Sequence, residues 1–444
     1  MDTLTAARLQ MTVSLVFHII FAAVGIGLPL LMVVVEGLWL RTGRTVYRDL
    51  ARKWAKATGL LFAVGAVSGT ALSFELGLLW PRYIELLGAV VGHLFGLEGF
   101  AFFIEAIFIG LYLYGWDRLR PVAHWLCGVV IAFSGMLSGI LVLGTNAWMQ
   151  LPVGFRMEAG RVVVTDPIAI FKWPLWLHMA VHSTLACYTA VSFAVASIYA
   201  VGRLRGRVDD YTATAIRVAM TVGAIAALLQ PVSGDLLAKY VYRTQPAKFA
   251  AMEGQFQTET SAPLRIGGLP DPEARETRWA VEIPGGLSFL ATGDPKAEVH
   301  GLDRIPRSDW PNIERTHMAF QIMVGAGMLM LGLSAWYVVA WWRGRATSSR
   351  WLLRAMAAAG PLGFVALEAG WVVTEAGRQP WIINGVLRTA DAATPATTVP
   401  EFLAAFTALY LALAVTVVVL LRKLRSESAV APQEPAHPAS PVST

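Results

Sequence analysis

The sequence predicts an all-α integral membrane protein with about nine transmembrane helices and one long extracytoplasmic loop. Apolar residues make up 56% of the 444 residues and charged residues only 15%, whereas soluble domains carry about 25% charged residues. Several apolar runs of roughly 20 residues are long enough to cross a bilayer as helices. Soluble enzymes, nucleic-acid-binding proteins and disordered chains are therefore excluded. The net charge of +6 is interpreted as the Lys and Arg excess of cytoplasmic loops.

Nine apolar runs divide the chain. The first is too long for a signal peptide and is interpreted as a retained span. The predicted spans are 13–40, 55–78, 94–115, 121–147, 174–201, 213–233, 317–342, 352–373 and 400–421. The corresponding domains are 1–233 with the first six helices, 234–316 as the loop, 317–425 with the last three helices, and 426–444 as a disordered cytoplasmic tail.

The distribution of Lys and Arg predicts the orientation of these helices. The loops after the first, third, fifth and seventh spans carry most of the basic residues of the short loops, with clusters such as Arg41 to Lys56 and Arg203 to Arg207. Basic residues in short loops mark the cytoplasmic side. The N-terminus is therefore predicted outside, the C-terminus in the cytoplasm, and the long loop outside.

Ionisable side chains inside apolar spans are costly and are candidates for function. His18, His178, His182 and His317 lie in or at the start of predicted spans. A single histidine in such a span is more often packed or hydrogen-bonded in the core than a ligand. The two cysteines lie inside apolar runs and form no C-x-x-C-H motif, which excludes covalently attached haem.

Acidic residues repeat on two of the spans. Glu98 and Glu105 are seven residues apart on the third, and Glu368 and Glu375 repeat this spacing on the eighth. Residues seven apart share one face of a helix. A neutral acid bonded to a helix carbonyl is the alternative explanation for Glu105.

With the predicted orientation, candidate ligands from five helices fall in one outer layer. His18, Glu98, His182 and Met323 lie roughly 6–13 Å from the outer ends of their predicted helices, and Glu375 follows the outer end of the eighth. This layer predicts a buried cofactor cluster. Haem is favoured because His and Met are common axial ligands, and zinc is disfavoured by the ligand spacing.

The segments that carry these residues resemble subunit I of the cytochrome bd family of quinol oxidases. The most specific match is Gly377-Arg378-Gln379-Pro380-Trp381 after Gly370-Trp371. The other matching pieces are Arg8-Leu9-Gln10 with His18, Leu97-Glu98-Gly99 through Glu105 to Gly115-Trp116-Asp117, Asn146-Ala147-Trp148-Met149-Gln150, Val181-His182-Ser183, Gly234-Asp235, Lys248 through Glu253, and Phe320-Gln321-Ile322-Met323-Val324-Gly325.

The resemblance implies three haems. His182 and Met323 would hold the low-spin haem b558. His18 would hold one high-spin haem and Glu375 the other, these being haem b595 and haem d, or a b-type haem in place of haem d. Glu98 would lie near the His18 haem.

The resemblance also implies a quinol site and several supporting residues. Lys248 and Glu253 match quinol-contacting positions of the loop, whose short length is typical of the cyanide-insensitive type. Glu105 and Glu98 are interpreted as a relay for cytoplasmic protons. Arg378 is expected to contact Glu375 or a haem propionate, and Trp371 to contact a macrocycle.

The implied setting is a respiratory-chain complex in the bacterial inner membrane that oxidises quinol outside and reduces O2 to water. Its partners would be a homologous second membrane subunit and, in some complexes, a small single-span subunit. Two alternatives stay open from the residues themselves. One is a transporter that uses Glu98, Glu105 and the histidines as a proton relay, although no internal repeat is found. The other is an electron-transfer cytochrome b without oxygen chemistry.

Overall fold

The computed structural model describes residues 2–158 and 161–430, and in these it contains nine helices long and apolar enough to cross a membrane. Helices dominate because the apolar runs satisfy every backbone hydrogen bond internally, as a bilayer requires. The helices are α1 (Thr3–Thr42), α2 (Thr45–Leu79), α3 (Pro81–Tyr114), α4 (Pro121–Gln150), α5 (Pro174–Leu204), α6 (Asp210–Thr244), α7 (Pro246–Glu253), α8 (Gly286–Thr292), α9 (Ile313–Trp342), α10 (Arg350–Ala359), α11 (Leu362–Ala376), α12 (Thr389–Ala392) and α13 (Val399–Val430).

Consecutive long helices pack as pairs, α1 with α2, α3 with α4 and α5 with α6, while α11 packs against α9 and α5. Helix α1 also contacts α4, α5 and α13, so it lies at the centre of the bundle. The main apolar core joins these helices and includes the fully buried residues Leu31, Leu50, Ile131 and Ile216. This arrangement packs α1, which carries His18, against α5 and α11, which carry His182 and Glu375.

Several boundaries differ from the predicted ones. Helix α3 begins at Pro81 rather than at residue 94, and only Trp80 separates it from α2. Helix α6 continues to Thr244, so the predicted loop boundary at 234 is wrong and the loop begins at Gln245. These segments carry polar residues that hydropathy alone does not assign to a span.

The eighth predicted span consists of two helices, α10 and α11, on either side of Gly360 and Pro361. Proline lacks an N–H donor and interrupts a helix, which explains the break. At the C-terminal end, α13 continues to Val430, past the predicted start of the disordered tail at 426. Residues 431–444 of that predicted tail lie outside the described residues.

These longer helices also correct the predicted depths. Measured along their helices from the first residue, His18 lies roughly 22 Å, Glu98 roughly 26 Å and Met323 roughly 15 Å from the start, whereas His182 lies roughly 12 Å. The estimate of 6–13 Å is therefore wrong for His18, Glu98 and Met323. It is their packing against neighbouring helices, not a common distance from the helix ends, that brings the candidate ligands together.

The loop between α6 and α9 holds the short helices α7 and α8 and three two-stranded antiparallel ribbons. The strands are β3 (Glu259–Thr260), β4 (Leu264–Ile266), β5 (Leu269–Asp271), β6 (Glu276–Arg278), β7 (Val281–Ile283) and β8 (Glu298–Val299), paired as β3–β8, β4–β7 and β5–β6. Two further ribbons lie outside it: β1 (Phe155–Glu158) with β2 (Arg161–Val164), and β9 (Trp381–Ile383) with β10 (Leu387–Arg388).

The first turns of α9 hold this loop in place. His317, which is fully buried, has Nδ1 2.8 Å from the Met252 carbonyl oxygen and Nε2 3.0 Å from the Gly267 carbonyl oxygen. Gln321 accepts from Gly267 N–H at 3.0 Å and donates to the Arg265 carbonyl at 3.1 Å. His317 therefore acts as a loop anchor, with both ring nitrogens occupied by backbone groups.

A buried polar cluster joins α1, α3 and α4 near the ends of these helices that are predicted to face the cytoplasm. Glu36 is fully buried and accepts from Tyr112 Oη at 2.5 Å and from His124 Nδ1 at 2.6 Å. His124 Nε2 lies 2.9 Å from the Tyr112 carbonyl oxygen. Every polar side-chain atom of Glu36 and His124 is thus paired, which is how a bundle tolerates such groups in its core.

We predict that His124→Ala destabilises the protein more than Tyr112→Phe. The first change removes a buried ring that packs against Tyr112 and Trp116 and leaves Glu36 Oε1 without its hydrogen-bond partner, which costs about 3–5 kcal/mol. The second removes one hydrogen bond to the other carboxyl oxygen and leaves the ring in place, which costs about 1–3 kcal/mol. Thermal unfolding in detergent, followed with a thiol-reactive dye on the buried Cys127 and Cys187, measures both midpoints. Equal midpoints in the two variants would contradict the larger role of His124.

Candidate functional site

A cavity of about 1760 Å³ lies among the long helices and extends to the loop. Pockets for one small molecule usually measure about 300–1,000 Å³, so this cavity has room for more than one large group. It is lined by all ten residues that the sequence analysis selected as site residues. These are His18, Glu98, Glu105, His182, Lys248, Glu253, Met323, Trp371, Glu375 and Arg378.

His18 faces the cavity from α1 and is oriented by α2. Its Nδ1 lies 3.0 Å from Ser68 Oγ, which leaves Nε2 as the nitrogen suited to bind a metal. A Cβ at Gly69 would lie 2.8 Å from His18 Cε1, so only glycine fits beside this ring. The hydroxyl and the missing side chain together fix the imidazole in one orientation.

His182 on α5 is held in the same way by α6. Its Nδ1 lies 3.0 Å from Ser233 Oγ, and the Gln230 amide nitrogen lies 3.2 Å from Nε2. A Cβ at Gly234 would lie 3.2 Å from His182 Cε1. The sequence analysis did not select Ser68, Ser233 or Gln230, because nothing in a single span distinguishes a hydroxyl that bonds to its own helix from one that orients a neighbour.

Met323 and Trp371 line the cavity from α9 and α11. A Cβ at Gly370 would lie 3.1 Å from Met323 Sδ, so the thioether packs directly on the α11 backbone. Trp371 follows Gly370 and packs beside the apolar cluster that contains Ile19 and Cys187. The glycine allows α9 and α11 to approach closely, and this approach brings the sulfur and the indole to the same cavity.

Glu375 belongs to a chain of four hydrogen bonds that runs from Arg378 to Lys248. Arg378 Nη2 donates to its Oε2, and Asn146 Nδ2 donates to its Oε1 at 2.7 Å. Gln150 Nε2 lies 3.4 Å from Asn146 Oδ1, and Lys248 Nζ donates to Gln150 Oε1. Asn146 and Gln150 are one turn apart on α4, so their amides can connect Lys248 in the loop with Glu375 at the end of α11.

Arg378 has donors beyond those used in this chain. Its side chain is 3% exposed, and its Nε donates to the Trp381 carbonyl at 3.3 Å. Nη1 is buried with no hydrogen-bond partner among the described residues. A buried guanidinium with a donor to spare is suited to bind an anionic group in the cavity, because two parallel N–H groups match a carboxylate.

Lys248 and Glu253 lie at opposite ends of α7 and are nearly fully buried. Burial lowers the pKa of Lys248 to about 7; nearby Arg378 also lowers it and Glu375 opposes the shift. Burial raises the pKa of Glu253 to about 7, with Arg265 opposing. Two groups with a pKa near neutrality beside a cavity are suited to proton exchange with a bound molecule.

Glu98 and Glu105 face α4 from α3. Ser138 Oγ donates to Glu98 Oε1 at 3.0 Å. Glu105 is 4% exposed, and its Oε1 has no partner among the described residues and lies 3.0 Å from where a Gly135 Cβ would be. The two carboxyls are two turns apart, roughly 10 Å along the helix. Proton transfer between them therefore needs an intermediate group or water.

Two histidines weighed in the sequence analysis do not line the cavity. His178 packs against Tyr240 at 5.8 Å between ring centroids, and His317 anchors the loop. Among the described residues, no three His, Cys, Asp or Glu side chains come together as a metal-ion site. The candidate ligands instead come singly from separate helices, as suits axial ligation of haem iron rather than a zinc centre.

Comparisons with known proteins identify the family of the chain. The family model for cytochrome bd terminal oxidase subunit I matches residues 6–429. The chain is 36% identical over 428 residues to a putative cytochrome bd menaquinol oxidase subunit I of Bacillus subtilis, which covers 95% of this chain and 96% of the relative. It is 29% identical over 466 residues to the cytochrome bd-II ubiquinol oxidase subunit 1 of Escherichia coli, which covers 89% and 91%.

The fold comparison gives the same result. A chain of the bd oxidase from Geobacillus thermodenitrificans matches with a TM-score of 0.91 and 34% identity, over 96% of this chain and 99% of that chain. The predicted helical membrane fold and the family resemblance are therefore confirmed. Since the family model and the fold both match nearly the whole chain, the protein belongs to the cytochrome bd terminal oxidase subunit I family.

Proposed function

We propose that the chain is the haem-carrying subunit of a quinol:oxygen oxidoreductase of the respiratory chain. It oxidises quinol at the outer face and reduces O2 to water with cytoplasmic protons. One observation carries the proposal: a single cavity is lined by four candidate haem ligands and by both candidate quinol residues. The hydrogen-bonded chain from Lys248 to Glu375 connects the two groups within that cavity.

The residues of the cavity fit haem. His182 and Met323 would hold haem b558, His18 one high-spin haem, and Glu375 the other, these being haem b595 and haem d or a b-type haem in its place. The glycines beside His18, His182 and Met323 leave flat surfaces, and the spare donor of Arg378 suits a propionate. Haem iron, when bound, supplies the one-electron and O2 chemistry that side chains lack.

Quinol oxidation releases two protons with two electrons, and the loop residues are placed to manage the protons. Glu253, with its raised pKa, accepts a proton from a quinol hydroxyl. Lys248 donates a hydrogen bond to the quinol oxygen and stays oriented by Gln150. Both groups lie at the loop side of the cavity, so the released protons leave toward the outer face.

On the other side of the site, Glu105 and Glu98 carry protons from the cytoplasm to the oxygen site. Ser138 orients Glu98, and Glu105 has an oxygen free to exchange a proton with water. Trp371 would contact a bound macrocycle from α11. Arg378 holds Glu375 in position, and its remaining donor would suit a propionate.

In this proposal the protein lies in the bacterial inner membrane, with its N-terminus outside and its C-terminus in the cytoplasm. Its partners are a homologous second membrane subunit and, in some complexes, a small single-span subunit. Relatives are named as subunit I of oxidases, which supports a multi-subunit complex.

Optical spectra of the purified complex test the proposal against the two alternatives. An oxidase gives a reduced haem spectrum in which the high-spin component shifts on binding CO. A transporter would show no haem, and an electron-transfer cytochrome b would show only haem that does not respond to CO. Either of these results would reject the proposed function.

We predict that His182→Ala and Met323→Leu change the same low-spin haem component. Each would remove one of the two side chains that would hold this haem, so the component would become high-spin or its potential would fall, while the other two haem components would be retained. Redox-titrated spectra of both variants measure this. Effects on two different components would show that the two residues do not ligate one haem.

We predict a bell-shaped pH profile of kcat/KM for quinol with its maximum near pH 7. As pH rises through about 7, Glu253 loses its proton and becomes able to accept one, while Lys248 loses its charge over the same range. Glu253→Gln should abolish the rise on the acid side and raise KM without altering the haem spectra. Glu273→Gln, an exposed change in the same loop, is the control. A wild-type profile in the Glu253 variant would refute its role.

We predict that Glu105→Gln slows O2 reduction while leaving the haem complement and the reduction of the low-spin haem by quinol intact. A glutamine of the same shape cannot change protonation. Glu85→Gln, which alters an exposed acid on the same helix, should behave as wild type. Flow-flash measurements separate the two steps. Unchanged O2 reduction in vesicles that generate a normal membrane potential would exclude Glu105 from the proton path.

A further inference from the structure

The ribbon β4–β7 in the long loop has one apolar face. Its strands pair Leu264 with Ile283 and Ile266 with Val281. Directly opposed residues of an antiparallel pair share one face, and successive residues alternate between faces. These four side chains therefore form one surface, which we call the ribbon face.

The opposite face of the same ribbon is polar. Arg265 pairs with Glu282 in the register, and their side chains form an ion pair at 3.0 Å. Arg265 also donates to Gln255 Oε1 at 2.5 Å, which ties this side to the segment after α7. The ribbon is thus amphipathic, with its polar side turned to the rest of the loop.

Three of the four side chains of the ribbon face are left exposed by the residues that the structure describes. Ile266 is 51% exposed, Val281 66% and Ile283 44%. Beside them, Trp279 is 80% exposed and has a left-handed backbone φ of 57°, which is unfavourable for a bulky side chain. Phe289 on α8 adds a further large apolar side chain, 56% exposed. Contiguous apolar surface of this kind marks an interaction site.

The position of the ribbon indicates what covers it. Gln321 on α9 bonds to the backbone on both sides of Ile266, so the ribbon lies against a membrane-spanning helix. Ile322 and Leu329, seven residues apart on one face of α9, are also exposed and do not line the cavity, as expected of a lipid-facing surface. The ribbon face is therefore continuous with the membrane-facing side of the bundle.

The ribbon face also borders the cavity, since Leu264 and Ile266 of this face contribute to its lining together with Leu290 of α8.

We propose that the ribbon face and Trp279 are inserted into the outer leaflet of the membrane and contact lipid acyl chains. Tryptophan favours the bilayer interface, and amphipathic elements bury their apolar side there. The edge of the cavity that is lined by the ribbon face then borders lipid rather than water. The inference rests on the membrane placement of the chain and not on the identity of its substrate.

Adjacent cysteine variants on opposite faces test the proposal. Val281→Cys and Glu282→Cys are each labelled with an environment-sensitive fluorophore in the intact complex, where the native Cys127 and Cys187 are buried. The complex is reconstituted in vesicles of phosphatidylethanolamine and phosphatidylglycerol, with or without a phospholipid that carries a nitroxide high on its acyl chain. Iodide is the water-soluble quencher. The unmutated complex, treated with the same label, gives the background.

The label at position 281 should lose more than half of its fluorescence to the nitroxide lipid and little to iodide, and the label at 282 should show the reverse. Quenching of both labels by iodide alone would show that the ribbon face contacts water, which would overturn the proposal. Protection of position 281 from both quenchers would place a protein subunit there, which would also overturn it. Trp279→Cys repeats the measurement at a second position if Val281→Cys does not assemble.

Discussion

Polar groups inside a bilayer must find their partners within the protein, and this constraint shapes the whole cavity. Four of the candidate ligands and acids that line it are each held by a hydroxyl or amide from a neighbouring helix, and Glu375 is also bonded to Arg378. A neutral partner orients a functional side chain without adding a charge to the apolar interior. The pairs are His18 with Ser68, His182 with Ser233, Glu98 with Ser138, and Glu375 with Asn146.

Buried polar atoms that lack a hydrogen-bond partner are informative, because their position indicates where the contents of the cavity lie. Arg378 Nη1, Glu105 Oε1 and Glu253 Oε2 are buried without partners among the described residues, and all three residues line the cavity. An unpaired buried polar atom costs about 1–3 kcal/mol. Their shared location indicates that the contents of the cavity, whether cofactor, substrate or water, complete their hydrogen bonding.

The loop outside the helices is part of this arrangement rather than an appendage. His317 and Gln321 fix it to α9, and Lys248 enters the chain of hydrogen bonds that includes Glu375. Its polar ribbon side faces the loop while its apolar side lies next to the membrane-facing helix surface. One segment can therefore close the cavity, supply two titratable groups to it and meet the bilayer.

The sequence by itself determined the membrane class, the nine spans and the ten residues that line the cavity, because hydropathy and family motifs are local properties of the chain. Only the tertiary structure decided which side chains are hydrogen-bonded to one another. Lys248 bonds to Gln150 across 98 positions of sequence, and Ser68 and Ser233 orient their histidines from other helices. The structure also separated His317, an anchor, from His18 and His182. Such roles depend on which helix faces meet, and helix packing is a long-range property that no periodicity within one span encodes.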